Sequence, residues 1–320
     1  MDGNTIVFGP VPSRRLGRSL GVNNIPPKRC TYSCVYCQIG RTTQMRVERS
    51  AFYEPEQVLA AVQTRVAQAD QAGERIDYLT FVPDGEPTLD IHLGRTIMML
   101  KSLSLPVAVI TNGALLWQED VRTALMQADW VSCKVDAVQE AIWRRIDRPH
   151  RRLRLSSILE GILAFASTYG GALVTETMLV GGLNDADAHL RQVADFVGCL
   201  QPDAAFLSIP TRPPAVKWVR TVDEAGLNRA YQILCERVAH VECLIGYEGN
   251  AFASTGDAVQ DLLSITAVHP MREDAVGALL ARTETDWSVV DGLIAQGYMR
   301  RIDYEGKAFY ARKLDAKQNA

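Results

Sequence analysis

Short apolar runs alternate with longer amphipathic stretches through the middle of the chain. Residues 77–82, 106–111, 130–135 and 173–180 are brief and rich in β-branched side chains, and each precedes a stretch with helical spacing. A fifth run, 205–209, follows the helical stretch 187–200, and an earlier strand is expected between residues 18 and 25. About six strand–helix units of this kind predict a parallel sheet curled into a partial barrel. Each run closes on polar or Gly/Pro-rich residues: Asp84-Gly85-Glu86-Pro87, Thr111-Asn112-Gly113, Asp136, Gly181-Gly182-Leu183-Asn184, and Pro210 to Pro214. Loops after the strands of a barrel share one face, so the chemistry is expected there.

The pattern changes after Gly249. Residues 258–265, 273–281 and 284–296 read as three short helices, and 299–304 and 307–312 as strands flanking a Glu305-Gly306 turn. The expected organisation is therefore a partial (β/α)6 barrel with its N-terminal extension over 1–250, followed by a small winged helix over 257–320.

Composition adds exclusions. With 320 residues, 47% apolar and 22% charged, and a formal net charge of −3, the chain offers no overall cationic field for nucleic acid. No apolar run reaches membrane-spanning length and the first twelve residues lack a signal-peptide pattern, so a cytoplasmic protein is expected. No dinucleotide fingerprint or P-loop lysine motif appears. Of seven cysteines, Cys133, Cys199, Cys235 and Cys243 are scattered in apolar stretches and read as small buried hydrophobes. Cys30, Cys34 and Cys37 fall within eight positions. Three neighbouring thiols, with no nearby histidine or cysteine to complete a zinc site, suit a four-iron cluster with one iron left open.

This spacing, with Tyr36 as the aromatic before the last cysteine, resembles the radical S-adenosylmethionine superfamily. The resemblance extends over roughly residues 7–250, through Gly9-Pro10-Val11-Pro12-Ser13-Arg14-Arg15, Asp84-Gly85-Glu86-Pro87-Thr88 and Ile146-Asp147-Arg148-Pro149-His150. These features are similar to the branch of the tRNA wyosine-base synthases and related Fe–S oxidoreductases; the second cysteine cluster of the wyosine enzymes is missing. The resemblance implies a [4Fe–4S] cluster on Cys30, Cys34 and Cys37. It further implies that the open iron is chelated by S-adenosylmethionine, whose reductive cleavage yields methionine and a 5′-deoxyadenosyl radical, with flavodoxin or ferredoxin as the type of reductant. It assigns cofactor contacts to Tyr36, to Gly85 and Glu86 in the place of a Gly-Gly-Glu motif, and to the strand-four residues Lys134 and Asp136. Thr111, Asn112, Glu176 and Met178 are weaker candidates.

The substrate is less constrained. Residues 143–154 carry six arginines against one acid, and planar guanidinium groups suit carboxylate or phosphate ligands. Arg148, His150 and Arg151, with Arg212 after the fifth run, are the candidate substrate contacts; Tyr247-Glu248-Gly249-Asn250 is a further region of interest. Residues 284–293, the would-be recognition helix, hold three acids and no base, so DNA is not an expected partner. A small anionic metabolite or peptide is the expected substrate. RNA is the alternative, and a non-enzymatic iron–sulfur regulator the third reading.

Overall fold

The computed structural model describes residues 6–245, 252 and 254–313. Eight strands form one curled half-barrel sheet: β1 (Val7–Ser13), β2 (Gly17–Val22), β5 (Tyr78–Phe81), β6 (Val107–Thr111), β7 (Trp130–Lys134), β8 (Ala172–Met178), β9 (Ala204–Ser208) and β10 (Val241–Leu244), adjacent in that order. The first pair is antiparallel and every other neighbouring pair is parallel. Between β2 and α1 (Pro55–Gln71) lie two two-residue strands, β3 (Arg29–Cys30) and β4 (Gln44–Met45), paired with each other, with Arg29 also bridging to Gly85. The outer helices are α1, α2 (Leu93–Leu100), α3 (Glu119–Leu125), α4 (Glu140–Ile146), α5 (Leu155–Ala166), α6 (Asp187–Leu200) and α7 (Glu224–Cys235).

Side chains alternate across a strand, and the two faces of this sheet have separate destinations. Val107 and Val109 of β6, Val131 and Cys133 of β7, and Leu207 of β9 join the large core under the helices. Ala108, Trp130, Val174, Ala204 and Phe206 point the other way and fill the lower lumen, with Leu16 and Leu244. The same inward parity carries Ile110, Lys134, Glu176, Met178 and Ser208 to the upper lumen, which stays open. A packed floor thus lies beneath an open upper lumen walled by both apolar and charged side chains.

The sheet has two strands beyond the six expected. β10 is short and lies on one edge, with Glu242 exposed. β1 contains Pro10 and Pro12, which a strand tolerates on the outer edge of a sheet. Cys133 is buried as expected, but Cys199 and Cys235 are exposed and Cys243 is half-buried.

The C-terminal unit consists of α8 (Ala258–Val268), β11 (Met271–Arg272), α9 (Glu273–Arg282), α10 (Ser288–Ala295), β12 (Met299–Tyr304) and β13 (Lys307–Arg312), with its strands in the order β11-β13-β12. Glu305 and Gly306 both adopt positive φ, 48° and 73°, as a two-residue hairpin turn requires. α10 starts later than the apolar pattern suggests, because Glu284 turns into the left-handed region at φ 52° and the Asp286 carboxylate accepts from Ser288 N. Leu262, Ile265, Val276, Leu279 and Leu293 form the core of this unit together with Phe8 and Val11 of β1, so its packing continues into the barrel edge. No helix among the described residues is long and apolar enough to cross a membrane.

Candidate active site

The cysteine loop is fixed by its backbone before any side-chain chemistry is considered. Cys30 sits on β3, and Arg46 N donates to Cys30 O at 3.1 Å. From one side, Glu86 N donates to Arg29 O at 3.0 Å and Lys28 N to Asp84 O at 2.7 Å. From the other, Val35 N and Ser33 N donate to Ile146 O and Asp147 O at 2.9 and 3.0 Å, while His150 N donates to Thr31 O at 2.9 Å. Tyr32 is pinned in the core, its hydroxyl accepting from Trp143 Nε1 at 3.1 Å. Gly85 is needed for the close approach, since a Cβ there would stand 2.0 Å from Arg29 O.

Burial raises all three thiols above their ordinary range; Glu86 adds to this at Cys30 and Asp147 at Cys34, whereas Lys28 opposes it at Cys37. Cys34 Sγ donates to Asp147 Oδ1 at 3.3 Å, and Asn112 Nδ2 lies 3.6 Å from Cys30 Sγ. The three thiols lie near enough to feel one another's charge. No three His, Cys, Asp or Glu side chains among the described residues converge on a point that a single ion would fill. The donor set, three soft sulfurs on one braced loop with Cys37 at the edge of an open cavity, fits a thiolate-bound iron–sulfur cluster by ligand chemistry.

Glu86 is almost wholly buried. Its Oε1 accepts from Thr88 N (3.1 Å), Thr88 Oγ1 (2.6 Å) and Thr111 Oγ1 (2.6 Å), and its Oε2 from Asn112 N (2.8 Å). Burial raises its carboxyl, against those four bonds. It thus ties the loop after β5 to the loop after β6, and Asn112 Nδ2 passes the tie to Thr31 Oγ1 at 2.8 Å. Asp84 is equally buried, 3.4 Å from Lys28 Nζ but with neither carboxylate oxygen in a hydrogen bond, and burial raises it to about 6.

The cavity in the upper lumen measures about 350 Å³ and is bordered by Tyr36, Cys37, Lys134, Glu176, Met178 and Arg212. Lys134 Nζ lies 3.3 Å from Glu176 Oε1 and 4.0 Å from Asp136 Oδ1, and 4.7 Å above the Tyr36 ring. Arg15 pairs with the other Glu176 oxygen, and Ser208 Oγ donates to Glu176 Oε1 at 2.9 Å. Burial alone would raise Glu176; Lys134 and Arg15 carry it well below the carboxylate range instead. Burial would likewise lower Lys134, but Asp136 and Glu176 hold it above its ordinary value. Asp136 accepts from the Tyr36 hydroxyl and from Met178 N (2.7 Å), and burial raises its carboxyl against the pull of Lys134.

Tyr36, Lys134, Glu176 and Met178 therefore share the lumen with Cys37, whereas Gly85, Glu86, Thr111, Asn112 and Asp136 act behind it, bracing the loops. Arg148, His150 and Arg151 lie outside the cavity. The chain at 146–150 spends backbone groups on the cysteine loop, and the flanking arginines, Arg144, Arg145, Arg151, Arg152 and Arg154, are exposed. Arg144, Arg151, Arg152 and Arg154 line a shallow outer cleft of about 790 Å³, roomier than the lumen cavity but without a cysteine. Arg144, Arg145, Arg148 and Trp218 line another of about 380 Å³. Arg212 alone of the candidate substrate residues lines the lumen cavity. Residues 247–250 lie outside the described residues. Among the cavity-wall residues without a sequence assignment are Ser208, Arg15, for which the motif ending there was the available signal, and His269, for which there was none.

The Radical SAM superfamily model matches residues 24–197. The UPF0026 protein MJ1312 of Methanocaldococcus jannaschii is 42% identical over 315 residues, 98% of each chain. Among solved structures, TYW1 with a lysine-pyruvate adduct bound superposes with a TM-score of 0.51 at 17% identity, covering 69% of this chain and 74% of that one. A radical SAM methyltransferase from Sphaerobacter thermophilus gives 0.52 at 16% identity, covering 71% and 66%. At these identities the two structures share the fold.

Proposed function

Since the chain belongs to the radical S-adenosylmethionine superfamily, whose members are enzymes working with a [4Fe–4S] cluster and S-adenosylmethionine, we propose that it removes hydrogen from a small anionic molecule or peptide bound in the lumen. One observation carries this reading: the cavity beside Cys37 is lined by Arg15, Lys134 and Arg212, with Glu176 as the acid between the first two. TYW1, which shares the fold, has been solved with a lysine-pyruvate adduct bound, and pyruvate is a carboxylate of the same general class.

Cys30, Cys34 and Cys37 would hold the cluster, which with S-adenosylmethionine supplies the hydrogen-abstracting chemistry. The protein's own part is positioning. Glu86 locks the loops after β5 and β6 against the cysteine loop. Tyr36 and Met178 are set by Asp136 at the cavity wall, and the packed floor of Trp130, Val174 and Phe206 closes the lumen below. On this reading Lys134, Tyr36 and Glu176 would meet the bound cofactor and Arg212 the substrate, since all four line the cavity. A flavodoxin- or ferredoxin-type reductant completes the system. We read the C-terminal unit as a winged helix used to cover the barrel edge. Superfamily membership supports an enzyme, so the regulator reading is dropped.

The test is anaerobic incubation of reconstituted protein with deuterated candidate substrates. A small carboxylate or phosphate compound should transfer deuterium into 5′-deoxyadenosine; transfer only from an RNA would overturn the reading. That second reading, an RNA-modifying enzyme, has its own observation, the outer cleft of Arg144, Arg145 and Arg148 beside the exposed Trp218. It requires tRNA binding that weakens steeply with salt and is lost when those three arginines are replaced by alanine.

A further inference from the structure

Three segments that hold the cysteine loop in place carry the same kind of side chain on their outer surface. On one flank, Arg46 N donates to Cys30 O at 3.1 Å and Thr42 Oγ1 to Tyr32 O at 2.6 Å. On the second, Ser33 N and Val35 N donate to Asp147 O and Ile146 O, and Cys34 Sγ donates to Asp147 Oδ1 at 3.3 Å. On the third, Val216 N donates to Val35 O at 3.1 Å. The solvent side of these segments is basic: Arg41, Arg145, Arg151, Lys217 and Arg220 are exposed and Arg148 is half-buried. Among the described residues Arg144 pairs with Glu140 and Arg152 with Glu48, whereas no ion pair engages Arg145, Arg148 or Arg151. Arg144, Arg145 and Arg148 frame a cleft of about 380 Å³ with Trp218, whose indole is 49% exposed. An exposed tryptophan among arginines is the composition of a protein-binding hot spot, and surface arginines steer an acidic partner from a distance. The whole chain carries a net charge of −3, so the basic face is local and gives no general attraction for polyanions. None of the residues framing the cleft borders the lumen. A macromolecular substrate would need the basic surface to continue into the lumen, whereas a partner that serves only the cysteines needs no more than this face.

We propose that this face docks the electron donor: a small acidic one-electron carrier protein seats over Trp218 and the arginines around it and delivers its electron through the segment bonded to Cys34. In that step the carrier loses one electron and the cluster gains it, with no bond made or broken. The proposal rests on the cluster and reductant part of the functional reading and on neither substrate reading. Contacts between electron carriers are small and brief, and complementary charge raises their rate of encounter more than their affinity.

The experiment mixes anaerobically reconstituted protein with flavodoxin hydroquinone, and separately with reduced ferredoxin, in a stopped-flow instrument that follows bleaching of the cluster. At least one carrier should reduce the unsubstituted protein at a second-order rate that falls steeply with ionic strength. Arg145→Glu, Arg148→Glu and Arg151→Glu made together should slow that rate by about 10–100-fold at low salt, and glutamine at the same three positions should slow it less. Trp218→Ser should slow it at every salt concentration, because salt does not screen an apolar contact. Photoreduced deazaflavin, a small reductant that needs no docking face, should reduce all of these proteins equally fast. Carrier rates unchanged by the charge reversal would overturn the proposal, and so would reduction of the unsubstituted protein by neither carrier. Slowing that deazaflavin shares would also overturn it, since the arginines would then be supporting the cluster itself. Unchanged carrier rates together with tRNA binding that the reversal abolishes would give the face to RNA. Protein that takes up no iron would sink the cluster reading and the proposal with it. Failure of the small-anion reading is read separately, by deuterium transfer, and moves none of these rates.

Discussion

Two arginine-bearing regions of this molecule differ in what surrounds the charge. On the outer face around residues 144–154, Arg144 pairs with Glu140 at 2.6 Å and Arg152 with Glu48, all four side chains about half exposed to solvent. In the lumen, Arg15 and Lys134 share Glu176 with all three side chains under one-fifth exposed. Water screens the first set, so its pairs are weak and exchangeable. The second is held in a low-dielectric pocket where each charge depends on the others. Charge density along the chain therefore marks the outer face, whereas chemistry follows strand parity, which brings isolated charges to one end of the lumen.

The comparison is tested most strongly at the metal. Alanine at Cys30, Cys34 and Cys37 together should abolish the roughly four irons per chain that a cubane implies. Replacing Arg144, Arg151 and Arg152 with alanine should leave iron and sulfide content unchanged. Iron loss in the arginine variant would show that the outer face supports the site after all.

A smaller effect separates the ion pairs. Glu176→Gln leaves Arg15 and Lys134 without their shared partner and should lower the unfolding free energy by about 3–5 kcal/mol. Glu48→Gln, on the outer face, should change it by under about 1 kcal/mol. Urea midpoints of the two variants measure the contrast, and equal shifts would erase it.

Asp84 and Lys28 form a pair of a third kind, buried but only loosely engaged. Because burial raises the Asp84 carboxyl to about 6 from an ordinary 3.8, the folded state favours its protonated form. The stability this group contributes is full below about pH 4 and is lost as pH rises through 6. Asp84→Asn stays neutral, so its stability relative to the unsubstituted protein should improve by about 2–3 kcal/mol between about pH 4 and about pH 8. Urea unfolding at the two pH values checks the sign; a difference independent of pH would mean the carboxylate is well solvated.

Much of this was legible in the sequence. The β-branched runs at 77–82, 106–111, 130–135 and 173–180 each contain a strand, because such residues suit a sheet buried on both faces. β1 was hidden by its prolines and β10 by its shortness and its exposed glutamate. The cysteines declared themselves by spacing, and Lys134 by its place at a strand end. Arg148, His150 and Arg151 attract notice through charge, yet their segment serves the site through main-chain hydrogen bonds, which no side-chain pattern reports. The contact between Arg212 and His269 spans 57 residues and two structural units, so only the fold could reveal it.

The braced cysteine loop has a consequence for the life of the protein in air. A zinc finger loses its fold with its metal, but here the ligand loop is tied by backbone bonds to residues 84–86 and 146–150 and pinned by Tyr32 against Trp143. The shape of the ligand loop rests on the polypeptide's own bonds. Oxidative loss of a cluster should therefore be a reversible injury, leaving a folded chain that repair machinery can refill rather than one that proteases must clear.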